Sequence, residues 1–127
     1  MVVTFPAPVT VGSVAVTSGT GSATFSIAGN DVVIDLTGVT NAQRLGVTLT
    51  NVSNGSGSGD VFVPMGILAG DVNGSGGVSA SDVGQVKANS GQPVTGTNFR
   101  ADVAPNGSIT ATDVGLVKSN SGSVLPP

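Results

Sequence analysis

The chain has 127 residues, 20 of them Gly, and no Cys, His, Trp or Tyr; its formal charge is −3. Every acidic residue is Asp, and the only cations are Arg44, Lys87, Arg100 and Lys118. This excludes thiol and imidazole catalysis, zinc, haem and iron–sulfur centres of the usual kind and disulfide bracing, and it argues against nucleic acid as a partner.

The first half predicts short strands. Val2–Phe5 and Val9–Val16 open the series, and Ala23, Phe25 and Ile27 then alternate with polar residues. Val32, Ile34 and Leu36 do the same, with Asp31 and Asp35 on the opposite face, and Ala28-Gly29-Asn30 reads as a hairpin turn before them. Leu45, Val47 and Leu49, then Val61, Val63 and Met65, continue the period of two, separated by a loop at Asn54–Gly59. Six such strands, each apolar on one face, suggest a small immunoglobulin-like β-sandwich over residues 1–68. A strand-rich fragment lacking one edge strand is the alternative. No apolar run is long enough for a membrane-spanning helix, because Thr, Ser, Asn and Asp interrupt each Val-rich stretch. No signal peptide is visible and the chain opens directly on a strand-like segment, so it reads as a fragment of something longer.

From about residue 69 to 127 the pattern changes and the chain repeats itself. DVNGSGGVSASDVGQVKANSG, from Asp71, returns as DVAPNGSITATDVGLVKSNSG, from Asp102. Internal repetition of this kind defines a unit that stacks on its copy. Each copy fits a twelve-residue calcium loop, which needs oxygen donors at positions 1, 3, 5, 7, 9 and 12 and a Gly at 6 for the sharp turn. In the first copy those positions are Asp71, Asn73, Ser75, Gly77 (through its carbonyl), Ser79 and Asp82, with Gly76 at the turn. In the second they are Asp102, Asn106, Ser108, Thr110 and Asp113, with Gly107 at the turn and Ala104 at position 3, which cannot ligate. Two Ca2+ sites are expected, the first the tighter. The simpler reading is that Asp, Asn, Ser and Gly are turn residues and that Ser79-x-x-Asp82 and Thr110-x-x-Asp113 are capping boxes. Recurrence at fixed spacing, with four of the seven acids at positions 1 and 12, favours the metal. Val78 and Ile109, at position 8, are expected to pair with each other.

A short helix should follow each loop. Ala80, Val83 and Val86, and Ala111, Val114 and Val117, are spaced to share one face, and Asn89-Ser90-Gly91 and Asn120-Ser121-Gly122 are stop signals. The helix that precedes an ordinary EF-hand loop is missing, since Val61–Leu68 is strand-like and contains Pro64.

A duplicated loop and exit helix with Asp at position 12 resembles the type I dockerin over about residues 70–125. The resemblance implies a near-symmetric pair of units, one calcium in each, docking on a cohesin domain and so attaching polysaccharide-degrading enzymes to bacterial scaffolds. It implies partner contacts at Ala80 and Ser81, at Ala111 and Thr112, and at Lys87 and Lys118. Ala80 and Ala111 depart from the Ser/Thr pair usual at positions 10 and 11.

The function expected is a non-catalytic, calcium-dependent docking module on an exported polysaccharide-active or surface protein, extracellular or at a bacterial cell surface. The competing reading is a structural stalk or sorting module in which calcium only stabilises the fold. Direct carbohydrate binding is disfavoured without Trp or Tyr, and Phe5, Phe25, Phe62 and Phe99 are expected in the core or in linkers. Enzymatic activity is not expected, since Asp31 and Asp35 would share a solvated strand face rather than environments that split their acidities.

Overall fold

A computed structural model describes all of residues 1–127 as two compact units, Met1–Gly66 and Ile67–Pro127. The first contains two three-stranded antiparallel sheets. β1 (Val2–Thr4), β3 (Ser22–Ala28) and β4 (Asp31–Thr37) form one in the order β1-β4-β3. β2 (Ser13–Ser18), β5 (Gln43–Ser53) and β6 (Ser58–Ile67) form the other in the order β2-β5-β6.

The alternation read from the sequence explains both sheets. Val32 and Ile34 on β4 and Leu45, Val47 and Leu49 on β5 are buried, and these branched side chains make the centre of the unit. Their outward neighbours are polar: Ser13 pairs with Thr50, and Thr17 with Thr48, through hydroxyl contacts of 2.6 and 2.8 Å. The β3–β4 hairpin turns through Gly29 and Asn30, and Gly29 takes φ +63 at the position where a type II′ turn needs it. Two details depart from the expected pattern. Residues 9–12 are not a regular strand; Thr10 makes only an isolated bridge to Ser53, and β2 begins at Ser13. Asn51 sits in the left-handed region at φ +50, its N–H donated to the Asp60 carboxylate at 2.8 Å, so Asp60 serves the backbone of β5.

Phe62 is not a core residue. It is 57% exposed, and its ring lies over Gly46 on the neighbouring strand, where an added Cβ would come within 2.5 Å of the ring edge. Glycine in a strand leaves an unpacked strip of backbone, and the ring covers it.

The second unit holds α1 (Ala80–Asn89), a 3-10 turn (Phe99–Ala101) and α2 (Ala111–Ser119). Its core is duplicated like its sequence: Val78 and Ile109, and Val86 and Val117, are buried together with Val72 and Ala101, while Val83, Val103 and Val114 pack against them. Ala80 and Ala111 are exposed, contrary to the expected apolar face; the buried residues of each helix are Asp82 and Val86, and Asp113 and Val117. The capping boxes cause this, since they turn the first-turn Asp inward and leave the residue two places earlier outside. Phe99 is exposed in the segment linking the two helices, one of the two places expected for it.

Gly84 and Gly115 lie in the exposed middle of the helices, with open space where a Cβ would go. Gly84→Ala and Gly115→Ala are therefore expected to stabilise this unit by about 0.5–1 kcal/mol each, through helix propensity and the smaller entropy of the unfolded chain. Urea unfolding followed by helical circular dichroism measures this; a loss of stability in both variants contradicts it.

Candidate metal loops

Each loop is organised around its two carboxylates. Asp71 Oδ1 accepts the Ser75 N–H at 2.9 Å, and Oδ2 accepts the Gly76 N–H at 2.8 Å. Asp102 repeats this, with Oδ1 accepting from Asn106 N–H at 3.3 Å and Oδ2 from Gly107 N–H at 2.9 Å. Gly76 and Gly107 take φ +86 and +85, so the turn at position 6 is left-handed in both copies, which glycine permits at no steric cost.

The position-12 carboxylates close the loops. Asp82 Oδ1 accepts the N–H groups of Val72 and Asn73 at 3.1 and 3.2 Å, and Oδ2 accepts the Ser79 N–H and hydroxyl at 2.8 and 2.9 Å. Asp113 Oδ1 accepts from Ala104 N–H at 2.9 Å, and Oδ2 from the Thr110 N–H and hydroxyl at 2.7 and 3.2 Å. Ser79 and Thr110 are the N-caps of α1 and α2, so one carboxylate joins the start of its loop to the start of its helix. The capping-box reading of these residues is therefore realised in full, and it coexists with the loop geometry.

Both carboxylates have no solvent exposure. Burial pushes their acidity towards the neutral form, but the N–H and hydroxyl donors stabilise the charge and leave both below the usual carboxylate range.

The first loop brings its other sequence-predicted donors together. Ser75 Oγ donates to the Gly77 carbonyl at 3.1 Å and lies 3.5 Å from Asp71 Oδ1, while Asn73 Oδ1 accepts the Ser75 N–H at 2.9 Å. These are hard oxygens converging on one loop interior, the donor chemistry suited to calcium, and two carboxylates per loop balance a divalent charge. In the second loop Asn106 Oδ1 accepts from Ser108 N–H at 3.0 Å, and the side chain at position 3 is the methyl of Ala104.

A second difference lies at position 4. Gly74 takes φ +73, a conformation closed to Pro105 in the second copy. An added Cβ at Gly74 would also lie 3.1 Å from Arg100 Nη1, so Arg100 covers the first loop from the 3-10 turn.

The position-8 residues do not pair with each other as expected. Val78 C=O accepts from Gly122 N–H at 2.9 Å, and Ile109 C=O from Gly91 N–H at 2.8 Å. Each loop is thus paired to the segment that leaves the helix of the other unit. Nothing in the sequence distinguishes these partners, because both are short extended stretches next to glycine. Of the expected partner-contact residues, Ala80, Ser81, Lys87, Ala111, Thr112 and Lys118 are all exposed. The Ser81 hydroxyl is engaged by Asn73 Nδ2 at 2.9 Å and by Ser79 Oγ at 2.8 Å, a tie from loop to helix that has no signal in the sequence.

Two hard-oxygen loops, each closed by an Asp on a short exit helix and cross-paired with its copy, define a tandem loop-and-helix domain without the entering helix of an EF-hand. Residues 69–120 match the family model of the dockerin type I domain, and this stretch of the chain is such a domain. No curated protein and no solved structure matches the chain. Dockerin domains are in general non-catalytic docking modules that bind calcium and cohesin partners. No helix of the chain is long and apolar enough to cross a membrane.

Because the folded-state pKa values of Asp82 and Asp113 lie below those of an unfolded chain, the stability they contribute is fully present above about pH 4. It is lost as pH falls through the folded values. In calcium-free buffer the helical unit should therefore weaken steeply below about pH 4, and Asp82→Asn should flatten that dependence. Unfolding midpoints between pH 6 and pH 3 measure it; an unchanged slope in the variant contradicts it.

Proposed function

We propose that residues 69–127 form a calcium-dependent docking domain that joins the protein carrying it to a cohesin-like partner. The observation that carries this reading is the coincidence of the family match with both oxygen-lined loops. Asp71, Asn73, Ser75, Gly77, Ser79 and Asp82 would hold one Ca2+, and Asp102, Asn106, Ser108, Thr110 and Asp113 a second. Each ion would neutralise the two carboxylates of its loop and tie loop to helix. Residues 1–68 would be an immunoglobulin-like module that spaces this domain from the remainder of an exported, polysaccharide-active or surface protein.

The partner face would comprise Ala80, Ser81 and Lys87 on one unit and Ala111, Thr112 and Lys118 on the other. Support comes from the way hydrogen bonds interchange between the units. The bond from Gly91 to Ile109 becomes that from Gly122 to Val78 when each residue is replaced by its repeat equivalent, and the bridge Pro93–Ser108 becomes Val124–Gly77. A pair built in this way has approximate two-fold symmetry, so either face could meet the same partner after a half-turn.

Calorimetric titration should give two calcium sites, the weaker one strengthened by Ala104→Asn. A single site, or no response to that substitution, counts against the ligand assignment. For docking, the double variant Ser81→Asp/Lys87→Glu should barely weaken cohesin binding, as should Thr112→Asp/Lys118→Glu. Their combination should abolish it, because each unit would then place unpaired charge at the contact. Loss of binding in either double variant alone removes the dual-face reading. Full binding by the combination favours a stalk or sorting module in which calcium only stabilises the fold.

A further inference from the structure

We infer that each calcium loop is held in its binding shape by the exit segment of the opposite unit, and in particular that Gly122–Leu125 positions the Gly77 carbonyl for the first site. The inference rests on the calcium reading above and extends it to residues beyond the matched stretch, which ends at residue 120.

The Gly77 carbonyl and the Val78 N–H belong to one peptide group, and in a trans peptide they point in opposite directions. The Val78 N–H donates to the Ser123 carbonyl at 2.9 Å. The Gly77 carbonyl must then face away from Ser123, to the side where Ser75 Oγ reaches it at 3.1 Å. Without a side chain of its own, Gly77 has no other means of fixing this orientation.

Two more bonds hold the strip. Gly122 N–H donates to the Val78 carbonyl and Leu125 N–H to the Gly76 carbonyl, both at 2.9 Å. The three successive peptide groups from Gly76 to Ser79 are thus each tied to the exit segment, and of their carbonyls that of Gly77 alone is left to face the loop. Gly122, at φ +91, lets the chain leave α2 and turn back along the first loop. The segment adds no oxygen to the site; it acts through the backbone of Gly76–Val78.

The second loop is held from the other side by Gly91, at φ +83, and by Pro93, which bridges Ser108. Pro93 stands where Val124 stands in the first pairing, and the N–H that proline lacks is one that makes none of the bonds there. Calcium at either loop would order the helix exit that supports the other.

The test compares Leu125→Pro with Leu125→Ala in the full chain. Proline removes the N–H that binds the Gly76 carbonyl; alanine keeps it and removes the side chain. The amide resonances of Gly76 and Gly107 report the two sites separately, because each N–H donates to the position-1 carboxylate of its own loop. During calcium titration, Leu125→Pro should weaken the Gly76 transition about five- to tenfold, the effect of one net hydrogen bond. The Gly107 transition should move less, and Leu125→Ala should leave Gly76 close to the unaltered chain. Equal weakening of both sites by both variants would mean general destabilisation and would overturn the inference, as would an unmoved Gly76 transition. Should Leu125→Pro fail to fold, amide exchange in the unaltered chain decides the matter. Val78 and Gly122 N–H should gain protection together with Gly76 when calcium is added, and calcium-independent exchange at those two amides counts against the clamp. If the unaltered chain binds no calcium at all, the reading of the loops falls first and this inference with it.

Discussion

The second unit depends on one interaction made twice: a buried aspartate that accepts N–H groups from the start of its loop and from the cap of its helix. Asp82 and Asp113 have no solvent exposure, and a carboxylate in such a place is tolerable only if its lone pairs are satisfied. Asp82 receives two donors on each oxygen. The same bonds satisfy N–H groups that the first helical turn and the loop entrance would otherwise leave open. This also accounts for Asp rather than Glu at position 12. In a fully buried site whose donors already meet the shorter carboxylate, one further methylene has no room without moving the loop entrance away from the helix.

That constraint explains how so slight a core suffices. The buried apolar residues of the unit are Val72, Val78, Val86, Ala101, Ile109 and Val117, mostly valines with no aromatic ring among them. A domain of this size draws only a few kcal/mol from such a core and usually needs a staple. The chain has no cysteine, so the staple cannot be covalent. What the unit has instead is polar: capped helices, loops wrapped around carboxylates, and two strips of cross-unit pairing. Metal bound in loops of this kind contributes to folding as well as to function, because the unfolded chain has no assembled site.

Sequence legibility followed the range of the interactions. The six strands, the β3–β4 turn, the tight turns at Gly76 and Gly107 and both capping boxes were readable, since each is set by residues within a few places of one another. Non-local pairings were not. Position 8 of each loop could have met the other loop or an exit segment, and only the folded backbone decides for Gly122 and Gly91. Helical spacing put Ala80 beside Val83 and Val86, but spacing alone does not say which side of a helix the rest of the unit covers, and Asp82 took the inward place. Phe62, expected in the core or in a linker, lies exposed on β6 instead, because its ring covers a glycine of the neighbouring strand, a non-local pairing again.

Duplication leaves the two units alike where each loop holds its own helix and unlike where they would hold metal. The bonds at positions 1 and 12 correspond residue for residue: Gly76 to Asp71 with Gly107 to Asp102, Asn73 to Asp82 with Ala104 to Asp113, and Ser79 to Asp82 with Thr110 to Asp113. All of these donors include backbone N–H groups, so they survive changes of side chain. Asn73 and Gly74 could therefore diverge from Ala104 and Pro105 without disturbing how each loop launches its helix. On the docking reading this separates two properties. The exposed helix residues keep the same placement in both units, while the strength of each metal site is set inside its loop by side chains that the scaffold does not need.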